Sequence, residues 1–524
     1  MSSADLRRVT ERHRTVSFIF VVAVGLCLYL PLLTRNYDPN GMMEASAVRS
    51  GDPAGLWNPN HMLYRPVGYF ILRTLEAAGL QPGVIPLLQI LSAVFGALGL
   101  GFSYLAFERL SANRTIAIWM SVALGVSWSY WTLSTDVYYY SMAAMLAAAS
   151  LAAFLQWNST SGLILCGILA GLSILTCQAN VVLMPGLAIA ALLRRPSDQF
   201  RRAIRDVMWI CIPAGVIVGL AFVGVGVLVY HRNSISALMD WGTNYSGNRL
   251  PIWGTWWPPI RFVHALGSAF RSVVGMDFRL FPFFLRHLQN GVVPSWIPPL
   301  GFVILTGLLA AAYRISSGWT RSRNRTLLGL LVLYATYIPF VWWWEAIEPR
   351  WFIVPNIFLA ALTAVLLSHW SNATYFRIAL PVGVLMLAVM NLVTSAWPKH
   401  FKESNDLKMA ACVSEHLHRE DLFLATEWNW SDYLSQFHNR DVVSFIGEVS
   451  AASRDKNLAM MKIRTIARER QQKGGHVFMI DIASYPAYYM QWLEDQTGLT
   501  AEDLRTYKGR QAFHCLGSDF LQLD

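Results

Sequence analysis

Residues 37–70 read YDPNGMMEASAVRSGDPAGLWNPNHMLYRPVGYF, and they follow a continuous apolar run at residues 15–33. This stretch concentrates side chains that carry charge or can exchange a proton, namely Asp38, Glu44, His61, Tyr64 and Arg65. Charged groups beside a bilayer are costly unless they are paired, hydrated or used in a reaction. The stretch therefore predicts an ordered loop at a membrane surface. It is either a catalytic rim or a re-entrant loop whose charges pair with one another.

The composition of the whole chain supports a membrane setting. Of its 524 residues, 54% are hydrophobic and 14% are charged, and the mean hydropathy is +0.38. Soluble domains carry about 25% charged residues, so the composition excludes a soluble enzyme of this size and predicts a multi-span membrane protein. The net charge of +10 does not indicate nucleic acid as a partner, because the excess arginines lie in loops beside apolar runs.

Charge divides the chain into two parts. Residues 1–396 hold 27 Lys+Arg and 14 Asp+Glu, whereas residues 397–524 hold 15 Lys+Arg and 18 Asp+Glu. The first part is predicted to be a transmembrane domain, and the second a water-soluble domain. In the second part, residues 403–418 and 450–472 suit helices, and DLFLATEW, DVVSFI and HVFMIDI suit strands. Cys412 and Cys515 could form a disulfide there if this part lies outside the cytoplasm.

Eleven apolar runs are long enough to be read as membrane spans. They lie at 15–33, 83–107, 114–134, 137–156, 162–176, 179–193, 207–230, 296–313, 327–344, 351–369 and 377–396. The runs 162–176 and 179–193 also fit one long helix with a break. Gly171, Gly215 and Gly219 lie among apolar residues and are expected at helix–helix contacts.

Arginine clusters set the expected orientation. Four arginines precede the first run and five lie in RRPSDQFRRAIR, which begins at Arg194. The positive-inside rule then places the N-terminus in the cytoplasm. It places the following segments outside: 34–65, 134–137, 231–295, 345–350 and 397–524. The expected fold is mainly α, with about eleven transmembrane helices and a small C-terminal α/β domain outside the cytoplasm.

Two further outer loops carry candidate site residues. Asp136 and Tyr138 lie in STDVYYY, and Glu348 and Arg350 lie in EAIEPRWF. Asp136 either caps the next helix or faces the same cavity as Asp38. Arg350 either binds a phosphate or forms an internal ion pair with a glutamate. Polar residues after Pro259 recur at helical spacing, which predicts an amphipathic helix in the membrane interface.

The order of these motifs resembles the GT-C fold glycosyltransferases, which include protein O-mannosyltransferases and the lipid A aminoarabinose transferase. The resemblance covers residues 15–396 and is carried by the 37–70 stretch, by TDVYYYSMAAML and by EPRWFIVP. The mannosyltransferases carry adjacent Asp and Glu in the first loop, whereas Asp38 and Glu44 are separated here. The resemblance implies an enzyme of the plasma (inner) membrane that uses a polyprenyl-phosphate-linked sugar at the outer face.

Under that resemblance the candidate residues take specific roles. Asp38 is expected to act as general base in a single inverting displacement, and Arg350 to hold the phosphate leaving group, followed by Arg65 and His61. Glu44 and Asp136 would orient the acceptor, hold Arg65 or hold a divalent ion. The remaining candidates for substrate binding are Tyr64, Tyr138 and Glu348.

The acceptor is expected to be a lipid, a glycan or a protein. No resident metal is predicted, and a divalent cation is the alternative. The rival functions are a transporter or flippase of lipid-linked precursors and a ligase acting on a lipid-linked glycan. Transporters place polar residues near the bilayer midplane, whereas the acids here gather at the ends of the runs.

Overall fold

The computed structural model describes residues 3–156, 159–195, 197–244, 260–275, 321–368, 374–401, 403–426, 429–452 and 455–524. Its helices up to the predicted domain boundary are Ser3–Tyr29, Pro39–Ser50, Pro53–Leu56, Tyr64–Ala77, Val84–Ser111, Arg114–Gly125, Trp128–Ser134, Tyr140–Gln156, Thr160–Thr176, Leu183–Arg194, Phe200–Leu228, Ile235–Asn244, Ile260–Val273, Arg321–Ala335, Tyr337–Glu345, Ile353–Leu367 and Thr374–Asn391. The later helices are Trp397–Phe401, Asn405–His416, Asn429–His438, Phe445–Ala451, Lys456–Gln472, Ala487–Thr497 and Ala501–Arg505.

Six of the described helical stretches are long and apolar enough to cross a membrane. They are Arg12–Leu32, Val84–Ser111, Phe200–Leu228, Asn324–Glu345, Pro349–Leu367 and Arg377–His416. Each overlaps one of the eleven predicted runs. The run 114–134 forms two helices bent by 66°. Three more runs form the shorter apolar helices Tyr140–Gln156, Thr160–Thr176 and Gln178–Arg194, so the 162–193 region is two helices. The run 296–313 lies outside the described residues, and the count of eleven stays a prediction.

The helix Val84–Ser111 forms the centre of the membrane part. It packs against Ser3–Tyr29, Arg114–Gly125 and Tyr140–Gln156. A glycine makes one of these contacts possible, because a methyl group at Gly99 would lie 3.2 Å from the Met145 Cα of helix Tyr140–Gln156. Small side chains let neighbouring helices approach closely in a membrane.

The glycine predictions have a mixed outcome. A methyl group at Gly171 would lie 3.1 Å from the Ala214 Cα, so Gly171 is at a helix–helix contact as expected. Among the described residues, no atom lies within 4 Å of such a methyl position at Gly215 or Gly219, so the expected helix contact is not seen for these two. Both lie on Phe200–Leu228, much of whose surface is open to the outside. An apolar run does not by itself say which of its faces meets protein.

The C-terminal part contains a five-stranded sheet of order β2-β1-β3-β5-β4. Its strands are Leu422–Ala425 (β1), Asp441–Ser444 (β2), Val477–Ile480 (β3), Gly509–Cys515 (β4) and Ser518–Leu523 (β5). Strands β1, β2 and β3 are parallel, and β5 joins β3 antiparallel. The three predicted strands are therefore confirmed. The predicted helix 450–472 is observed as Lys456–Gln472, and Ala451 instead ends helix Phe445–Ala451.

A disulfide between Cys412 and Cys515 joins helix Asn405–His416 to β4, with Cα atoms 6.0 Å apart. The pairing considered from the sequence is therefore present. Helical structure continues past residue 396 as far as Phe401. The division of the chain at residue 396 stays a prediction.

Candidate active site

Asp38 is the N-cap of helix Pro39–Ser50. Its Oδ1 accepts hydrogen bonds from the Asn40 backbone N–H and the Asn40 side-chain amide, each at 2.9 Å. Asp is a preferred N-cap residue, and proline suits the first helical position that follows it. The Asp-Pro pair therefore directs one carboxylate oxygen into the helix and leaves Oδ2 for other partners. Glu44 lies in the second turn of this helix.

Asp136 lies directly against Asp38, although 98 residues separate them. The Asp136 Oδ2 accepts from the Asp38 backbone N–H at 3.2 Å, and its Oδ1 accepts from the Val137 N–H at 2.7 Å. Burial, together with the negative charge of Asp38, raises the pKa of Asp136 to about 7. Both carboxylates line one cavity of about 270 Å³, which is one of the two alternatives that the sequence left open for Asp136.

Arg350 lies at the centre of a cluster of acidic groups. Its Nη1 donates to the Tyr138 hydroxyl at 2.9 Å and lies 3.7 Å from the Asp38 Oδ2. Glu345 and Glu348 lie 3.3 Å and 3.1 Å from other nitrogens of the same guanidinium. The predicted internal Glu–Arg pair is therefore present, and it is shared with Asp38.

Tyr138 connects the base candidate to the cation. Its hydroxyl donates to the Asp38 Oδ1 at 3.4 Å while it accepts from Arg350. Trp351 donates to the Glu345 Oε2 at 3.1 Å, and an Arg350 nitrogen donates to the same oxygen at 3.3 Å. Burial raises the pKa of Glu348. Protonation of Glu348 would reduce the negative charge facing Arg350.

The helix Ile260–Val273 holds the segment that carries the acidic side chains. Arg261 donates to the carbonyls of Trp342, Trp343 and Trp344 at 3.1–3.4 Å. Ser268 donates to the Ala346 carbonyl at 2.8 Å, and Arg271 to the Ile347 carbonyl at 3.3 Å. The helix predicted after Pro259 is confirmed, and it satisfies carbonyls at the end of a neighbouring helix that have no partner within it.

Glu44 and Arg65 form a buried ion pair beside this cluster. The two carboxylate oxygens of Glu44 accept from the Arg65 Nε and Nη2, each at 2.8 Å. Arg65 also donates to the Gly55 carbonyl at 2.6 Å. Burial favours the neutral form of Glu44, but the facing guanidinium outweighs it and lowers the pKa of Glu44. The pair closes the loop between helices Pro39–Ser50 and Tyr64–Ala77.

His61 and Tyr64 occupy different surroundings. The His61 ring stacks on Tyr139 with centroids 3.7 Å apart, and its buried Nδ1 has no hydrogen-bond partner in the part of the chain that the structure describes. Burial lowers the pKa of His61 to about 4, so the ring is neutral at pH 7. The Tyr64 hydroxyl donates to the Leu88 carbonyl at 3.3 Å and lies 3.2 Å from the Ser92 hydroxyl. Tyr64 is therefore held against helix Val84–Ser111 and does not line the cavity.

Two cavity residues were not anticipated from the sequence. Lys399 and Asp406 line the same cavity as Asp38 and Asp136, with Asn36 and Tyr37. Lys399 belongs to helix Trp397–Phe401, and Asp406 to helix Asn405–His416. Both come from the part predicted to be a separate soluble domain. The sequence feature that could have indicated them is their position just after the last apolar run, 377–396.

Among the described residues, one group of three side chains has metal-ligand spacing: Cys412, His416 and Cys515. Its two cysteines form the disulfide. Because a thiolate and not a disulfide sulfur is the metal ligand, this group does not hold a metal. The expectation of no resident metal stays a prediction.

The order and packing of the helices identify the fold class of this chain. The chain has the fold of the GT-C glycosyltransferases, which are helical membrane proteins. It resembles ArnT from Cupriavidus metallidurans bound to undecaprenyl phosphate, with a TM-score of 0.55, 14% identity, and coverage of 96% of this chain and 97% of that one. It also resembles the Archaeoglobus fulgidus oligosaccharyltransferase tethered to an acceptor peptide, with a TM-score of 0.54, 12% identity, and coverage of 97% and 74%. No protein-family model and no curated protein matches the chain.

Proposed function

We propose that this chain is an integral-membrane glycosyltransferase of the bacterial inner membrane. It moves a hexosyl or pentosyl group from a polyprenyl-phosphate carrier to a lipid, glycan or protein acceptor. The solved ArnT structure of the same fold holds undecaprenyl phosphate, which supports the choice of carrier. The observation that carries the proposal is the facing pair of Asp38 and Arg350, 3.7 Å apart, with the Tyr138 hydroxyl bonded to both.

The reaction assigns one task to each member of the pair. The acceptor oxygen attacks the anomeric carbon of the donor while Asp38 takes the acceptor proton. The bond between that carbon and the phosphate oxygen breaks, and its electron pair leaves with the phosphate. A single displacement inverts the anomeric centre.

Arg350 stabilises the leaving group more than the donor. The phosphate gains negative charge as the bond to the sugar breaks, so a fixed guanidinium interacts most strongly with the transition state. Arg350 is bound by carboxylates of Glu345 and Glu348. The donor phosphate therefore competes with carboxylates for the same cation, and a protonated Glu348 favours the phosphate.

The raised pKa of Asp136 supports Asp38 as the base. Two neighbouring carboxylates do not ionise independently, since each disfavours the charge on the other. Asp136 is the more buried of the two, and it holds its proton up to a pH of about 7. Asp38 faces the cavity, and its Oδ2 lies 3.7 Å from an Arg350 nitrogen.

The proposed orientation places the cavity and the C-terminal sheet outside the cytoplasm. The arginine clusters of the sequence favour this topology. The Cys412–Cys515 disulfide supports it, because such bonds persist in oxidising compartments. Asp406 and Lys399 place the C-terminal part at the cavity that contains Asp38. A polyprenyl-linked donor suits this side, where nucleotide sugars are absent.

The test is donor turnover by the purified full-length protein in lipid vesicles. Undecaprenyl-phosphate-linked hexoses and pentoses are supplied with a cell-envelope fraction as acceptor, and released undecaprenyl phosphate is measured. Asp38→Asn should lower turnover by at least about 100-fold, the usual contribution of a general base. Asn remains a good N-cap, so the helix start is preserved.

Asp52→Asn is the matched control. Asp52 also caps a short helix that starts with proline, and it accepts from the Gly55 N–H at 2.8 Å. It should retain turnover within about twofold, since the cap is kept. Wild-type turnover in Asp38→Asn would remove Asp38 as the base, and no release from any donor would refute the proposed class of reaction.

A further inference from the structure

The segment that carries Asp38, residues 33–38, is fixed by groups from distant parts of the chain. On the membrane side, the Thr34 N–H donates to the Thr135 carbonyl at 3.0 Å. The Gln89 side-chain amide donates to the Thr34 carbonyl at 2.8 Å. These contacts fix the start of the segment to helices of the membrane part.

The same segment is also bound by the chain that leads into the C-terminal part. The Arg35 N–H donates to the Lys399 carbonyl at 2.9 Å, and the Thr34 hydroxyl donates to the same carbonyl at 3.1 Å. The His400 Nδ1 lies 2.6 Å from the Leu33 carbonyl. The chain around Lys399 and His400, which leads into the C-terminal part, is therefore hydrogen-bonded to residues 33–35.

Helix Asn429–His438 contacts the residue that precedes Asp38. The Tyr433 hydroxyl donates to the Tyr37 carbonyl. The Phe437 ring stacks on the Tyr37 ring, with centroids 5.7 Å apart and planes at 27°. Farther along, Arg49 donates to the Gln436 carbonyl at 3.0 Å.

The peptide unit between Tyr37 and Asp38 is therefore held at both of its polar atoms. Its carbonyl accepts from Tyr433, and its N–H donates to the Asp136 Oδ2 at 3.2 Å. A peptide unit is planar, so two bonds on its opposite edges fix its rotation. This rotation sets the direction in which the Asp38 side chain leaves the backbone.

We propose that helix Asn429–His438 of the C-terminal part positions the catalytic base, with Tyr433 as the positioning residue. The inference rests on the proposed function, in which Asp38 takes the acceptor proton. A base must lie within hydrogen-bond reach of that proton, and small displacements cost large factors in rate. The C-terminal part then acts on the chemistry through the backbone of residue 37, in addition to lining the cavity.

The first experiment measures the segment itself and needs no substrate. Tyr433→Phe removes the hydroxyl and keeps the ring beside Phe437. Arg49→Met is the matched control, because it also removes one hydrogen bond between this helix and the first loop but leaves residues 33–38 untouched. Amide hydrogen exchange of residues 33–38 in the full-length protein should rise about fivefold in Tyr433→Phe, as expected for one lost hydrogen bond. Arg49→Met should match the wild type there.

The second experiment measures turnover with the undecaprenyl-phosphate donor. Tyr433→Phe should lower kcat about five- to tenfold with donor KM within about twofold, and Arg49→Met should keep both. The melting temperatures of the two variants should agree, which separates positioning from loss of fold. Unchanged exchange and kcat in Tyr433→Phe, or equal losses in both variants, would overturn the inference. Full turnover in Asp38→Asn would refute the proposed base instead, and the exchange result would still report on the contact.

Discussion

The Glu44–Arg65 pair gives a prediction whose size follows from its burial. Glu44 is 1% exposed and Arg65 is 5% exposed, and two hydrogen bonds of 2.8 Å join them. Removing one partner of a buried ion pair leaves an uncompensated charge, at a cost of about 3–5 kcal/mol. We expect Glu44→Gln and Arg65→Met each to lose stability in this range. In a chain of this length that loss lowers the denaturation midpoint by about 3–5 °C.

The double variant provides the sharper test. With both charges gone, no uncompensated ion remains, so Glu44→Gln/Arg65→Met should be more stable than either single variant. What it still lacks is the Arg65 bond to the Gly55 carbonyl. Thermal denaturation of the purified protein in detergent, followed by tryptophan fluorescence, measures all four forms. Losses that add in the double variant, or single variants as stable as the wild type, would refute the reasoning.

The pH dependence of Arg65→Met follows from the same pair. In the wild type Arg65 lowers the pKa of Glu44, so the pair stabilises the fold above the usual carboxyl pKa and loses this effect as the pH falls. Without Arg65, burial instead raises the pKa of Glu44, and the carboxyl takes up a proton in mild acid. The destabilisation of Arg65→Met should therefore be smaller at pH 5 than at pH 8. If Glu44→Gln/Arg65→Met recovers stability but not turnover, the Glu44–Arg65 pair acts directly in the reaction.

Two further predictions concern Asp136 and Arg261. The pKa of Asp136 is raised to about 7, so it favours the folded state at low pH, and this contribution is lost as the pH rises from about 4 through about 7. Between pH 5 and pH 8, the denaturation midpoint of Asp136→Asn should therefore fall less than that of the wild type. An equal dependence of the midpoint on pH in the two proteins would contradict this. Arg261→Met removes the donor to the Trp342, Trp343 and Trp344 carbonyls, so turnover assays should show a higher donor KM and a lower kcat. Arg271→Met, which loses an exposed bond of 3.3 Å, should change both less, and the reverse order would contradict the assigned role of the helix.

The sequence predicted the features of the fold that have a local or periodic cause. Apolar runs located the long helices, and residues such as Leu422–Ala425 and Val477–Ile480 have the composition of buried strands. The hairpin of β4 and β5 was not predicted. Its two-residue turn, Leu516 and Gly517, has positive φ at both positions. Asn-Gly or Asp-Gly is the usual sequence of such a turn, and a leucine there gives no signal.

Only those parts of the site that have a local cause in the sequence could be predicted. Asp38 could be placed because an Asp-Pro pair at the end of an apolar run has a local structural meaning. The partners of Asp38 had no such signal, because Tyr433 and Lys399 reach the loop through the tertiary fold. Glu44 and Arg65 were candidates for catalysis and substrate binding. The ion pair between them depends on how their two helices pack, which is a property of the tertiary fold.

The charge balance of the site connects these observations. Arg350 faces the carboxylates of Asp38, Glu345 and Glu348. Lys399 shares its cavity with Asp38, Asp136 and Asp406, so Asp38 belongs to both groups. An anionic donor entering such a site meets repulsion unless some of the acids are neutral. Burial raises the pKa of both Asp136 and Glu348, and these two carboxyls flank the proposed base and the proposed phosphate ligand. Protons on these two acids would reduce the negative charge beside the proposed base and beside the Arg350 guanidinium. The acidity of the cleft is thus compatible with a phosphate-bearing substrate because the acids are buried to different extents.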